Sequence, residues 1–81
     1  MGKSGSTKPK PVLRHRKLLG GAIRHYRKKA GLTQETLAEL ADLNPKYLGE
    51  VERGEKIISI EALLRISRAA RVPIRVFFRA I

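Results

Sequence analysis

TQETLAELADLNPKYLGEVERG, residues 33–54, reads as two short helices joined by a tight corner. Thr33 opens the first, because its hydroxyl can accept from the unpartnered backbone N–H groups of a helical first turn. Leu37, Ala38, Leu40 and Ala41 then recur at helical spacing as the inward face, with Glu35 and Glu39 left to solvent. Asp42 and Leu43 interrupt that pattern, and Asn44-Pro45 restarts it. Asn is a good N-cap, and proline suits the first helical position because its missing N–H would find no partner there. Leu48 and Val51 face inward, and Gly54 closes the second helix as a left-handed residue. Two helices of about two turns each cannot bury their apolar faces on one another alone. The flanking sequence must supply the core.

Before this unit, Leu19, Ala22, Ile23, Tyr26 and Ala30 form one helical stripe. A first helix is expected from Arg14 or Lys17 to Lys29, closed by Gly31. Lysines and arginines crowd its last turn, where they suit the negative end of the helix dipole. Gly20-Gly21 weakens its middle by about 1 kcal/mol per glycine relative to alanine. Either the helix begins near Gly21, or another backbone packs closely there. After the unit, Glu55–Ile58 is expected as a loop, and Ser59 as the cap of a further helix. Its inward stripe is expected to be Ile60, Leu63, Leu64, Ile66, Ser67 and Ala70, with Arg65, Arg68 and Arg71 facing water. Val72-Pro73 stops that helix and opens a short fifth one, residues 73–80, with Ile74, Phe77, Phe78 and Ile81 on its apolar face. No strand pattern and no internal repeat is present. The fold class is all-α, with five helices.

The 81 residues suffice for one small domain. Residues 14–81 are read as that domain and residues 1–13 as a disordered basic tail, since 2–11 lack any large apolar side chain. The tail is either an arm that reaches a phosphate backbone or a leader with no role. The chain has no cysteine, so disulfides, thiolate metal sites and thiol chemistry are excluded. His15 and His25 are too few and too far apart for a zinc cage, and no metal or other cofactor is expected. Glutamates and histidines stand at spacings without nucleophile or acid–base logic, so no catalytic residues are assigned. Nothing reads as a transmembrane span or a signal peptide, and a cytoplasmic location is expected.

The net charge is +11, and it is one-sided. Residues 1–34 carry Lys3, Lys8, Lys10, Arg14, Arg16, Lys17, Arg24, Arg27, Lys28 and Lys29 with no acidic residue. All the acidic residues lie in 35–81, nearly balancing the basic residues there. The positive field therefore sits on the tail and first helix and suits a polyanion, nucleic acid before an anionic membrane. A membrane surface is disfavoured because no large apolar face accompanies the charge.

With these residues in place, the segment from Leu19 to Val72 resembles the Cro/repressor-type (xenobiotic-response-element-like) helix-turn-helix family of DNA-binding domains. The likeness rests on Leu19-Gly20, Ile23-Arg24, Arg27, Gly31-Leu32-Thr33-Gln34, Leu37-Ala38, Tyr47, Glu52-Arg53-Gly54, Ser59 and Leu63-Leu64. It implies a five-helix Cro/repressor-like domain that binds double-stranded DNA as a transcriptional regulator, usually as a homodimer on a palindromic site. It also implies a partly buried ion pair between Arg27 and Glu52. Ala38 fits the steep crossing of the two short helices. Asp42 stands where the family usually has glycine, Arg71 where a helix-ending glycine is common, and Gly49 where a small polar residue is typical.

By the same resemblance, the second helix enters the major groove with its N-terminal residues at the base edges, and the positions that meet the DNA are Asn44, Pro45, Lys46, Tyr47 and Glu50. Lys46 can donate to guanine O6 and N7 or to a phosphate, and Pro45 can meet a thymine methyl. Glu50 either accepts from cytosine N4 or repels wrong sequences. Tyr47 either packs against the turn or brings its hydroxyl to a phosphate. Gln34 is expected to grip a phosphate at a helix N-terminus, with Arg53 and Lys56 on the same strand. Arg24, Lys28 and Lys29 either widen the basic footprint or are a solvated face. The dimer interface is expected at Val76, Phe78 and Ile81. The reading from a different class is a protein-interaction module or antitoxin whose helix 44–53 binds a protein partner.

Overall fold

Three helices begin where a side-chain oxygen stands ready to cap them. Thr33 Oγ1 accepts from the Thr36 N–H at 3.0 Å, and Asn44 Oδ1 accepts from Lys46 N at 2.8 Å and Tyr47 N at 3.3 Å. Ser59 Oγ accepts from Ala62 N at 3.1 Å. The computed structural model describes the backbone of residues 10–81 and the side chains of residues 14–81. Its elements are α1 (Lys10–Lys29), α2 (Gln34–Leu40), α3 (Pro45–Glu52), α4 (Ile60–Ala70) and α5 (Arg75–Arg79), with no strand among the described residues. The first helix starts ahead of both expected starts, taking in residues 10–13. The reading of residues 1–9 as a tail lies outside the described residues.

α1 is the spine of the fold, touching α3, α4 and α5, while α2 packs between α3 and α4. Gly20 explains how closely α1 approaches α3. A methyl group at Gly20 would collide with the Val51 carbonyl oxygen and stand 2.7 Å from that of Glu52, so α1 and the end of α3 meet backbone to backbone. Of the two alternatives for the Gly20-Gly21 pair, the close approach holds at Gly20, and α1 runs through unbroken. Gly21 has open space around it.

The corner between α2 and α3 closes by a Schellman arrangement. Leu43 N donates to Ala38 O at 2.7 Å and Asp42 N to Glu39 O at 3.2 Å. This demands a left-handed residue, and Asp42 takes that role at φ 56°. Arg71 does the same after α4 at φ 59°. A side chain in that region costs about 1–2 kcal/mol relative to glycine, less for Asp than for Arg.

The core gathers Leu19 and Ile23 of α1, Leu37, Ala38 and Ala41 at α2, Leu48 and Val51 of α3, Ile58, Leu63, Ile66 and Phe77. Phe77 is its largest fully buried side chain, met edge-on by Tyr26 at 5.7 Å between ring centres. Several inward assignments are corrected. Leu40 is 60% exposed, and Ile60, Leu64 and Ala30 also lie at the surface, whereas Ala62 is buried. The stripe of α4 therefore follows Ala62, Leu63, Ile66, Ser67 and Ala70: the expected face at Leu63, Ile66, Ser67 and Ala70 holds, with Ala62 in place of Ile60 and Leu64. Arg65, expected in water, lies against the end of α2. Its Nε donates to the Ala41 carbonyl at 2.8 Å, satisfying one acceptor that the helix end leaves over. Buried Ser67 donates to Leu64 O at 2.7 Å.

Candidate nucleic-acid interface

The caps of α2 and α3 bring two helix N-termini to one side of the molecule. An open groove between them is lined by Arg27, Leu32, Thr33, Gln34, Glu35, Pro45 and Lys46. First-turn N–H groups and the dipole make such a place favourable for an anion. Pro45 and Lys46 are exposed on the first turn of α3, Asn44 is exposed just ahead of it, and Glu50 is half-buried one turn on. Asn44 Oδ1 is committed to capping, so only the amide group of that side chain remains for other contacts.

A buried charge pair fixes the groove. Arg27 Nε meets Glu52 Oε2 at 2.7 Å and Arg27 Nη2 meets Glu52 Oε1 at 3.0 Å, with the side chains 9% and 2% exposed. The third arm, Arg27 Nη1, donates to Leu32 O at 2.9 Å. Gln34 joins the same cluster, since its Nε2 donates to Glu52 Oε1 at 2.9 Å. One carboxylate thus ties α1, α2 and α3 together. The Gln34 side chain is held by it rather than projecting loosely, and its amide keeps a second N–H. That link was not legible beforehand, because the family resemblance implies the Arg27–Glu52 pair but is silent on a third partner.

Past α3 the chain turns at Gly54, and Arg53 folds onto Glu55. Arg53 Nε donates to Glu55 Oε2 at 2.9 Å and Nη2 to Oε1 at 3.2 Å, both side chains being more than half exposed. The hydrogen bond that Glu55 accepts and its charge raise the Arg53 pKa above the ordinary value, and the same bond lowers that of the Glu55 carboxyl. Glu55 was not singled out from sequence, since only the turn at Gly54 brings its carboxylate back to the guanidinium. Lys56 is exposed beside this pair.

Tyr47 is half-buried against the core, and its hydroxyl donates to the Ile57 carbonyl at 3.1 Å, tying α3 to the following loop. Packing is thus its observed role. Arg24, Lys28 and Lys29 lie exposed along α1, as do His15 and His25. Phe78 on α5 and Ile81 just past its end are 47% and 49% exposed, while Val76 is half-buried against the core. Among the described residues no cluster of His, Cys, Asp or Glu is gathered to hold a metal ion, and no helix is long and apolar enough to cross a membrane.

Comparison with known proteins places this geometry. The control protein C.SmaI of Serratia marcescens is 35% identical over 54 residues, which cover 67% of this chain and 64% of that protein, just under two thirds of its length. The restriction-modification controller protein C.AhdI from Aeromonas hydrophila superposes with a TM-score of 0.75 at 36% identity, over 78% of this chain and 96% of that one. The controller protein C.Esp1396I, solved as a tetramer in complex with its natural 35 base-pair operator, aligns with a TM-score of 0.72 at 29% identity over 80% of this chain and 86% of that one. The helix-turn-helix family profile HTH_3 matches residues 23–77, which include the whole of α2, the corner and α3. The chain belongs to that helix-turn-helix family.

Proposed function

We propose that this protein is a transcriptional regulator that binds double-stranded DNA sequence-specifically, as a homodimer that lays α3 in the major groove. The observation that carries the reading is the convergence of the α2 and α3 N-termini on one open groove, with Gln34 locked to Glu52 beside exposed Pro45 and Lys46. Gln34, through its second amide N–H and the first-turn backbone of α2, grips a phosphate. Lys46 and Pro45 meet base edges, and the exposed amide of Asn44 stands next to them. Glu50, half-buried on the same helix, discriminates among bases or excludes wrong ones. Arg53 and Lys56 follow the phosphate strand, and the basic face of α1 adds long-range attraction. The likeness to controller proteins, one of them solved on its operator, supports the same reading. The protein then acts where its DNA lies, in the cytoplasm.

Phe78 and Ile81, half-exposed at and just past the end of α5, supply the apolar contact between two copies, with Val76 half-buried against the core on the same helix as Phe78. A dimer of this kind selects a palindromic site. A lone half-site recovered from random DNA contradicts it.

Salt titration tests the electrostatic part. Each phosphate neutralised contributes about −0.9 to the slope of log K against log salt concentration. Contacts from Arg53, Lys56 and the basic residues of α1 in two protomers therefore predict a steep fall between low and physiological salt. Binding that ignores salt removes the phosphate contacts from the account and favours a protein as the partner of α3.

A further inference from the structure

Gly49 lies in the middle of α3, where glycine weakens a helix and nothing in the backbone requires it. Its φ is not in the left-handed region, and no turn or helix end falls there. Yet Gly49 is buried. What covers it is a pair of polar side chains, Arg53 and Gln34. A methyl group at this position would stand 3.2 Å from Arg53 Nη1, 3.5 Å from Gln34 Oε1 and 3.8 Å from Gln34 Nε2. The two groups assigned to the phosphate strand thus meet over the one residue of α3 that has no side chain.

Both are gripped from behind. Glu52 holds the Gln34 amide at 2.9 Å. Glu55 takes Arg53 through Nε and Nη2, leaving Nη1 as the edge directed over Gly49. From this we infer that Gly49 is a positioning residue: its bare Cα is the seat on which the Arg53 guanidinium and the Gln34 amide are brought side by side to bind one phosphate oxygen pair. The inference rests on the DNA-binding reading above and adds to it a residue that touches no DNA itself. It differs from the simpler idea that Gly49 lets a nucleic-acid backbone approach α3 directly, because the space over Gly49 is already occupied by protein.

The seat predicts opposite signs for stability and affinity. Gly49→Ala requires Arg53 to give by only a few tenths of an ångström, so the variant gains thermal stability from its helix propensity and binds DNA within about twofold of the parent. Gly49→Leu also favours the helix but fills the seat with an uncharged side chain. It is expected to melt no lower than the parent, to bind about tenfold more weakly, and to lose about 2 from the salt slope as one phosphate contact is lost in each protomer of the dimer. In a Gln34→Ala/Arg53→Ala background, at low salt, Gly49→Leu should cost nothing further. A cost that persists in that background overturns the inference, because position 49 then touches DNA itself. Equal binding and equal salt slope for parent and Gly49→Leu also overturn it, while leaving the DNA-binding reading intact. A parent protein that binds no DNA at all removes both.

Discussion

Glu52→Ala is expected to lower the free energy of unfolding by about 3–5 kcal/mol, the range for deleting one member of a buried ion pair. The loss has three parts in this fold. Arg27 keeps its charge inside the protein with two of its arms unpartnered. The tie between the start of α2 and the end of α3 through Gln34 disappears. A side chain that is 2% exposed leaves a void behind it. The desolvation cost of the surviving charge dominates, which gives a second, less obvious expectation. Replacing both members with apolar groups of similar size, Arg27→Met with Glu52→Leu, should be less damaging than Glu52→Ala alone. Chemical denaturation of the parent and the two variants decides it. A Glu52→Ala protein within about 1 kcal/mol of the parent would show that the pair carries little.

The second large effect separates two neighbouring glycines. Gly20→Ala should destabilise the fold by about 2–3 kcal/mol, since the added carbon collides with the Val51 and Glu52 carbonyls and the two helices must move apart. Backbone atoms cannot swing aside as a lysine tail can. Gly21→Ala should do the opposite and stabilise by about 1 kcal/mol, because nothing lies within 4 Å and the helix gains alanine's propensity. The contrast is internally controlled: both changes add one methyl to the same helix, one residue apart. Thermal unfolding of the two variants measures it. Equal shifts of the same sign would mean that α1 and α3 are not in backbone contact.

Much of this fold was legible in the chain itself. Thr33, Asn44 and Ser59 declare helix starts because their side chains can satisfy orphan N–H groups, and each does so. The αL positions at Asp42 and Arg71 were legible as departures from glycine, and the backbone adopts αL at both regardless. Less legible was which apolar residue of a helix faces which neighbour. Periodicity defines a stripe but not its width, so Leu40, Ile60 and Leu64 pointed inward on paper and outward in the fold. Arg65 reversed the other way, because a carbonyl at the end of α2 offered it a partner that no pattern within α4 reveals.

At the candidate site the register of α3 was readable, since helical spacing alone puts Lys46 and Glu50 one turn apart. What each side chain touches was not. Gln34 and Arg53 read as loose donors, yet one is held by Glu52 and the other by Glu55. Tyr47 spends its hydroxyl on Ile57 O. Such contacts depend on loop geometry and on carboxylates from other segments, which local sequence does not encode. They also set how far each residue is prepared for an anion before DNA arrives.

The central claim is that the α2–α3 unit reads DNA sequence, with Lys46 among its readers. Selection from a random double-stranded pool, with sequencing of what the protein retains, tests it most directly when parent and Lys46→Ala are run side by side. The account predicts a palindromic motif for the parent, and for Lys46→Ala a motif with relaxed preference at one position of each half-site. A pool that shows no enriched sequence for the parent, or the same motif with unchanged preferences for both proteins, contradicts it.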